Sequence, residues 1–304
     1  MKNEIYSEAV EKIITSIQSG VKPWVRPFDR PNLGRARNFF TKIPYQGVNS
    51  MLLMMDAYRR GYASNNWLTF KQLSLLKGKV KKGESATRIF FFTYVGDKNA
   101  DKDALDSSEV QLFPRWKYFN VFNLDQTEGV IESKTVRPHE HFERNRSVDE
   151  VIVASGATIK NTDRKTAFYS PVGDFIHLPY QNHFHTVGGY YATVLHELVH
   201  WTGHSKRLDR MKPNSRYGDK AYAFEELVAE LGAAFLSTDL NVNGELENHA
   251  AYLNDWASLL NDKHMAFFRA ASYAEKATQY LYALVDQQSV VLPFTEPMIL
   301  LKAA

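Results

Sequence analysis

Apolar residues at Ile5, Val10, Ile13, Ile14 and Ile17 recur at helical spacing and predict a helix over 4–18, stopped by Gly20. Three prolines follow within nine residues (Pro23, Pro27, Pro31), which predicts an extended loop. Helices are expected over 49–60, closed by Gly61, and over 69–76, where Thr69 suits an N-cap. Segments 87–95 and 117–122 are dense in β-branched and aromatic residues and predict strands. The acidic stretch 96–110 between them predicts a flexible surface loop. Residues 131–147 are polar without period and predict an interdomain linker. Beyond it, helical patterns cover 148–155, 190–200, 221–237, 249–260 and 267–285, and 168–178 predicts strand, turn and strand. The expected fold class is α+β in two domains, 1–130 and 148–304.

The length of 304 residues accommodates two such domains. Net charge is only +3, but its distribution is uneven: residues 1–130 carry +7 and the remainder −4. A basic N-terminal half is expected to face a polyanion. The chain has no cysteine, which excludes disulfides and thiolate metal sites and fits a cytoplasmic address. The first twenty residues carry three Glu and lack the apolar run of a signal peptide, and no stretch is apolar enough to span a membrane.

Residues 196–200 read His-Glu-Leu-Val-His. At i and i+4 on a helix, two imidazoles share one face and can grip one metal ion, with the intervening Glu beside the water that such an ion activates. By chance this pattern is expected about one to two times in a hundred chains of this composition. Its neighbours Val194, Leu195, Leu198 and Val199 are apolar, so the segment is expected to be buried, where unpaired imidazoles and carboxylates are costly. These residues define a zincin-type site: His196 and His200 as ligands, Glu197 as general base. A catalytic ion of this kind takes a third protein ligand. His204 is one candidate, but Gly203 loosens the helix before it. The segment Phe224–Leu231 offers Glu226 and Glu230 on one face, one turn apart. The reading prefers Glu226 as ligand and Glu230 as the carboxylate that orients an imidazole. The expected cofactor is one divalent ion, zinc first, with manganese and cobalt as alternatives, and the natural reaction is amide hydrolysis. The 168–178 segment could align an extended peptide by strand addition.

Between Lys22 and Arg88 there are 14 Lys and Arg against three acids, interleaved with aromatics. Single-stranded nucleic acid suits this combination, because cations follow phosphates and aromatic faces stack unpaired bases. Candidate contacts are Trp24, Arg26, Arg35, Arg37, Tyr45, Asn49, Trp67, Lys71, Lys79, Lys81 and Lys82. The densest cluster is Lys77–Gly83, whose glycines would let backbone approach a phosphate.

Both halves carry strings with a family resemblance. YQGVNSMLLMMDAYRRGYASNNWLTFKQLSLLKGKVKKGESA, then YFNVFNLDQTEGV, resembles the single-stranded-DNA-binding domain of ArdC-type antirestriction proteins. HELVHWTGHSKRLDR, then YAFEELVAELGAAFL, is similar to that family's zincin-like metallopeptidase domain. The resemblance implies a plasmid-encoded protein that helps conjugating DNA escape host restriction, binds single-stranded DNA and carries a divalent metal at His196, His200 and the Glu226 region. It names no peptidase substrate; a protein engaged on the same DNA is the expected partner. Two other readings are a DNA-coating protein with a structural or vestigial metal site and a regulatory protease localised by DNA.

Overall fold

The computed structural model describes residues 4–26, 30–96, 112–130, 146–211, 220–244 and 250–291. Most of the expected acidic loop, most of the linker, and Pro27 and Phe28 lie outside these residues. The chain divides into two compact units, Pro23–Pro138 and a second formed by Met1–Lys22 with His139–Ala304. Helix α1 (Glu4–Gln18) packs in the C-terminal unit, against a helix near that unit's end.

The N-terminal unit is built on strands β1 (Arg37–Asn38), β2 (Asn66–Thr69), β4 (Thr87–Gly96) and β5 (Leu112–Asn123), in sheet order β1-β2-β5-β4. Strands β3 (Lys79–Val80) and β6 (Thr127–Glu128) form a separate antiparallel pair. Helix α2 (Gly47–Arg60) lays Leu53, Met54 and Ala57 on Trp67, Ile89 and Val121 of the sheet. Gly61 ends it in the left-handed region at φ 69°, the conformation only glycine adopts without cost. Helix α3 (Phe70–Leu75) begins with a full capping box. Thr69 accepts from the Gln72 N–H, and the Gln72 side chain reaches back to the Thr69 backbone; such a cap is worth about 1 kcal/mol.

The C-terminal unit is mainly helical: α1, α4 (Arg146–Ser155), α5 (Val187–Thr202), α6 (Lys220–Asp239), α7 (Ala250–Asp262) and α8 (Met265–Val291). A small sheet of β7 (Thr158–Thr162), β9 (Phe175–Pro179) and β8 (Phe168–Ser170) packs on α5, with β8 at its edge. Helix α5 also packs against α6 and α8. Leu195, Leu198, Val199, Leu227, Leu231 and Phe235 are buried to within 0 % exposure, so the helices carrying the His and Glu residues form the centre of the core. Among the described residues no helix is long and apolar enough to cross a membrane.

Candidate metal centre

Thr186 caps α5 by accepting from the Gly189 N–H at 2.9 Å, and the helix carries His196, Glu197 and His200 to its C-terminal half. It meets α6 at Gly232. A Cβ there would sit 2.7 Å from Cγ2 of Val199, closer than carbon atoms tolerate, so glycine permits the crossing. That approach brings Glu226, in the first half of α6, up to the two histidines.

Three ligand atoms converge. His196 Nε2 lies 3.2 Å from His200 Nε2. Glu226 Oε2 is 3.5 Å from His196 Nε2, and its Oε1 is 3.4 Å from His200 Nε2. An ion bonded at about 2.1 Å in tetrahedral geometry holds its ligands about 3.4 Å apart, so this donor set fits one small divalent cation. These are the one such group among the described residues. His204 lines the same cavity but lies past the end of α5, where its Nδ1 accepts from the Lys206 N–H at 3.1 Å.

Electrostatics follow from this packing. Burial opposes the Glu226 charge, but His200 and His196 outweigh it and hold the carboxyl far below its ordinary range. For His200, burial likewise disfavours charge, and Glu226 and Glu225 overcome it, raising the imidazole well above its usual value. Burial pushes Glu197 up, the direction expected of a group that takes and gives a proton near neutrality. One Glu197 oxygen accepts from the backbone of Tyr169 on β8, while its Oε2 is buried without a hydrogen-bond partner. His196 Nδ1 is also buried without one.

Carboxylates behind the ligands complete the site. Glu225 Oε1 is 3.3 Å from His200 Nδ1, and Arg210 grips both Glu225 oxygens at 2.8 Å. The Arg210 side chain is only 3 % exposed and also donates to Val199 O and Thr202 Oγ1. Glu230 Oε2 lies 3.9 Å from His196 Nδ1, and its Oε1 is 2.8 Å from Lys22 Nζ. The sequence leaves Glu225, Glu226 and Glu230 open as third ligand, with Glu226 preferred, and gives Arg210 and Lys22 no role. Glu225 carried a signal, standing beside Glu226 in the same acidic run; Lys22, some two hundred residues away, carried none. Tyr222, one turn before Glu226, hydrogen-bonds that carboxylate, and its hydroxyl is 3.3 Å from that of Tyr252. The whole site opens into a cavity of about 1520 Å³. Behind Tyr169, which lines this cavity, Arg207 stacks over Trp201 and binds Asp174 and the Tyr169 hydroxyl, which ties edge strand β8 to the end of α5.

The N-terminal candidates separate by burial. Arg37, Lys71, Lys79, Lys81 and Lys82 are exposed, Lys81 donating to Asp125 O at 2.7 Å; Arg26, Arg35 and Tyr45 are half-buried. Trp24 and Trp67 are buried in the core and cannot stack bases, a correction to their expected role. Asn49 is corrected too: its amide accepts from the Phe90 N–H and donates to the Phe90 C=O, both at 2.7 Å. Gly78 leaves room for Leu73 and Val130 rather than for a phosphate, since a Cβ there would lie 2.4 Å from Leu73. Counting aromatics and amides along a chain does not separate a core from a surface.

Comparison with known proteins gives both units a class. Residues 146–273 match the zincin-like metallopeptidase family, and residues 3–122 match the N-terminal domain of the anti-restriction factor ArdC. The protein is a zincin-like domain joined to an anti-restriction N-terminal domain. It belongs to the ArdC antirestriction family. The metal-free crystal structure of the antirestriction ArdC protein from plasmid R388 is 34 % identical, with a TM-score of 0.77 over 93 % of this chain and 98 % of that one. Its Mn(II)-bound structure is 33 % identical with a TM-score of 0.75, over 92 % and 98 %. DNA primase TraC of Escherichia coli is 33 % identical over 95 % of this chain, and uncharacterized protein y4eC of Sinorhizobium fredii is 31 % identical over 92 % of each. The chain spans 28 % and 20 % of the length of the two TraC proteins it matches.

Proposed function

We propose that this chain is a cytoplasmic antirestriction protein that binds single-stranded DNA through its N-terminal domain and carries a working metallopeptidase site in its C-terminal one. Its natural setting is plasmid DNA entering a cell that restricts foreign DNA. The observation that carries the reading is the convergence of His196, His200 and Glu226 beside a buried Glu197 with an unpartnered oxygen. A purely structural metal site has no use for such a carboxylate.

In this reading His196, His200 and Glu226 hold one divalent ion, with zinc proposed and manganese as the ion carried by a solved relative. Bound there, the ion supplies Lewis acidity toward a carbonyl and toward water. Glu197, held by the Tyr169 backbone, accepts a proton at its free Oε2 and returns it to the leaving amine. Glu225, clamped by Arg210, fixes the His200 ring, and Glu230 stands behind His196. Strand β8 is unpaired on its outer edge among the described residues and lines the cavity, so an extended peptide can add to it beside Glu197. A protein engaged on the same DNA is the proposed substrate, brought to effective concentrations on the order of millimolar by the fusion.

The test is protection of incoming plasmid DNA in a restricting host. Glu197→Gln is expected to abolish protection while leaving DNA binding intact. Full protection by Glu197→Gln would refute the peptidase reading and leave a protein that works by coating DNA.

A further inference from the structure

Three of the exposed large apolar side chains of the N-terminal unit sit on the paired strands β4 and β5. Phe91 on β4 is 46 % exposed, and Tyr118 and Phe119 on β5 are 49 % and 46 % exposed. The β4–β5 register pairs Phe91 with Lys117, Ile89 with Phe119, Phe90 with Tyr118 and Arg88 with Asn120. Side chains alternate across the ribbon, so Phe91, Lys117 and Phe119 share one face while Arg88, Tyr118 and Asn120 share the other. On the first face the Phe91 and Phe119 rings meet edge to face at 5.3 Å; on the second, the Arg88 guanidinium lies 5.7 Å above the Tyr118 ring. The same first face is core further along, where Ile89 and Val121 pack beneath α2. The aromatics continue past the end of that cover into solvent.

We infer that this ribbon is a base-stacking surface for single-stranded DNA, with Tyr118 and Arg88 engaging bases on one face and Phe91 and Phe119 on the other. The inference rests on the single-stranded-DNA reading above and names its contacts. None of these aromatics was among the residues singled out from sequence. Exposed rings with a cation beside them on each face, Lys117 on the first and Arg88 on the second, offer stacking and phosphate contact together. Duplex DNA keeps its bases stacked inside and cannot use such rings. A partner protein strand is disfavoured by the edge itself. At Phe90 the outward N–H and C=O of edge strand β4 are already taken by the Asn49 side chain, which blocks a backbone ladder there.

The experiment is fluorescence anisotropy of a labelled oligothymidylate with the full chain across a salt series. Tyr118→Ala and the double variant Phe91→Ala/Phe119→Ala are expected to bind about five- to 150-fold more weakly, the range that loss of a base–aromatic stack produces. Their salt slope should match wild type, because no phosphate contact is lost, while Lys117→Ala should lower the slope by about one. Ultraviolet cross-linking of wild type to the same oligomer, mapped by mass spectrometry, reads the surface without any substitution and should mark Tyr118 or Phe119. The ribbon is overturned if wild type binds, both variants stay within about twofold of it, below the smallest effect a lost stack gives, and cross-links fall only elsewhere. No binding by wild type would overturn the single-stranded-DNA reading and the ribbon with it.

Discussion

Lys22 Nζ lies 2.8 Å from Glu230 Oε1, and both side chains are buried, at 6 % and 5 % exposure. Lys22 follows α1 and is the last residue of the N-terminal segment that packs in the C-terminal unit. A buried ion pair contributes little net stability, but removing one partner strands the other charge at a cost of about 3–5 kcal/mol. Lys22→Met should therefore lower the unfolding free energy of the C-terminal unit by that amount in urea titration. Lys22→Met/Glu230→Gln should recover most of it. Equal loss in single and double variants would mean that Lys22 matters through its packing rather than its charge.

Gly232 sets the distance between the helices that supply the ligands. Gly232→Ala drives a methyl into Val199 and should destabilise by about 1–3 kcal/mol, the usual cost of overpacking. It should also weaken metal binding, because α6 must move away from α5 and carry Glu226 with it. Thermal unfolding and metal titration on one sample check both effects; unchanged affinity would show that the helices relax without moving the ligands.

Arg210 touches no ligand atom, yet it holds Glu225 against His200. Arg210→Ala is expected to reduce metal affinity about ten- to a hundredfold, as loss of such supporting contacts does. Arg210→Lys should rescue only partly, because an ammonium cannot reproduce the two-pronged grip. Isothermal titration with Mn(II) and Zn(II) gives the comparison.

Asp174 provides a pH signature. Hydrogen bonding from Arg207 holds its carboxyl at about 2, against an ordinary value of 3.8. A depressed carboxyl contributes stability that is fully present above the unfolded value and is lost as pH falls toward the folded one. The difference in melting temperature between wild type and Asp174→Asn should be constant near neutrality and shrink between about pH 4 and pH 2. A difference that persists unchanged at pH 2 would show that the Arg207 contact does not depend on charge.

The helices that build the site were readable because their apolar residues recur at helical period and their ends carry signals. Gly61 closes α2 and Thr69 caps α3 where the sequence places them. Helix α5 begins at Val187, three residues before its apolar pattern, because Thr186 is the cap and Gly188 and Gly189 carry no hydrophobic signal. Strand β7 was not read at all, since Thr158–Thr162 is polar and gains its place only by pairing with β9. The His196/Glu197/His200 cluster was legible because one helix carries it. Glu225 and Glu226 differ by one residue and about 100° around α6, and only the crossing at Gly232 decides which faces the Nε2 atoms and which the Nδ1 of His200. Lys22 and the α1 docking are long-range contacts that leave no mark on local pattern. In the N-terminal unit, composition identified a basic aromatic region but put Trp24, Trp67 and Asn49 on its surface, when packing and the Phe90 backbone claim them.

In the proposed centre, His196, His200 and Glu226 hold one divalent ion and His204 takes no part. The decisive measurement is metal content per chain, by mass spectrometry after loading with Zn(II) or Mn(II) and exhaustive dialysis. Wild type and His204→Ala should each retain one ion per chain, while Glu226→Gln and His196→Ala/His200→Ala should retain essentially none. Loss of the ion from His204→Ala with full retention in Glu226→Gln would contradict the assignment.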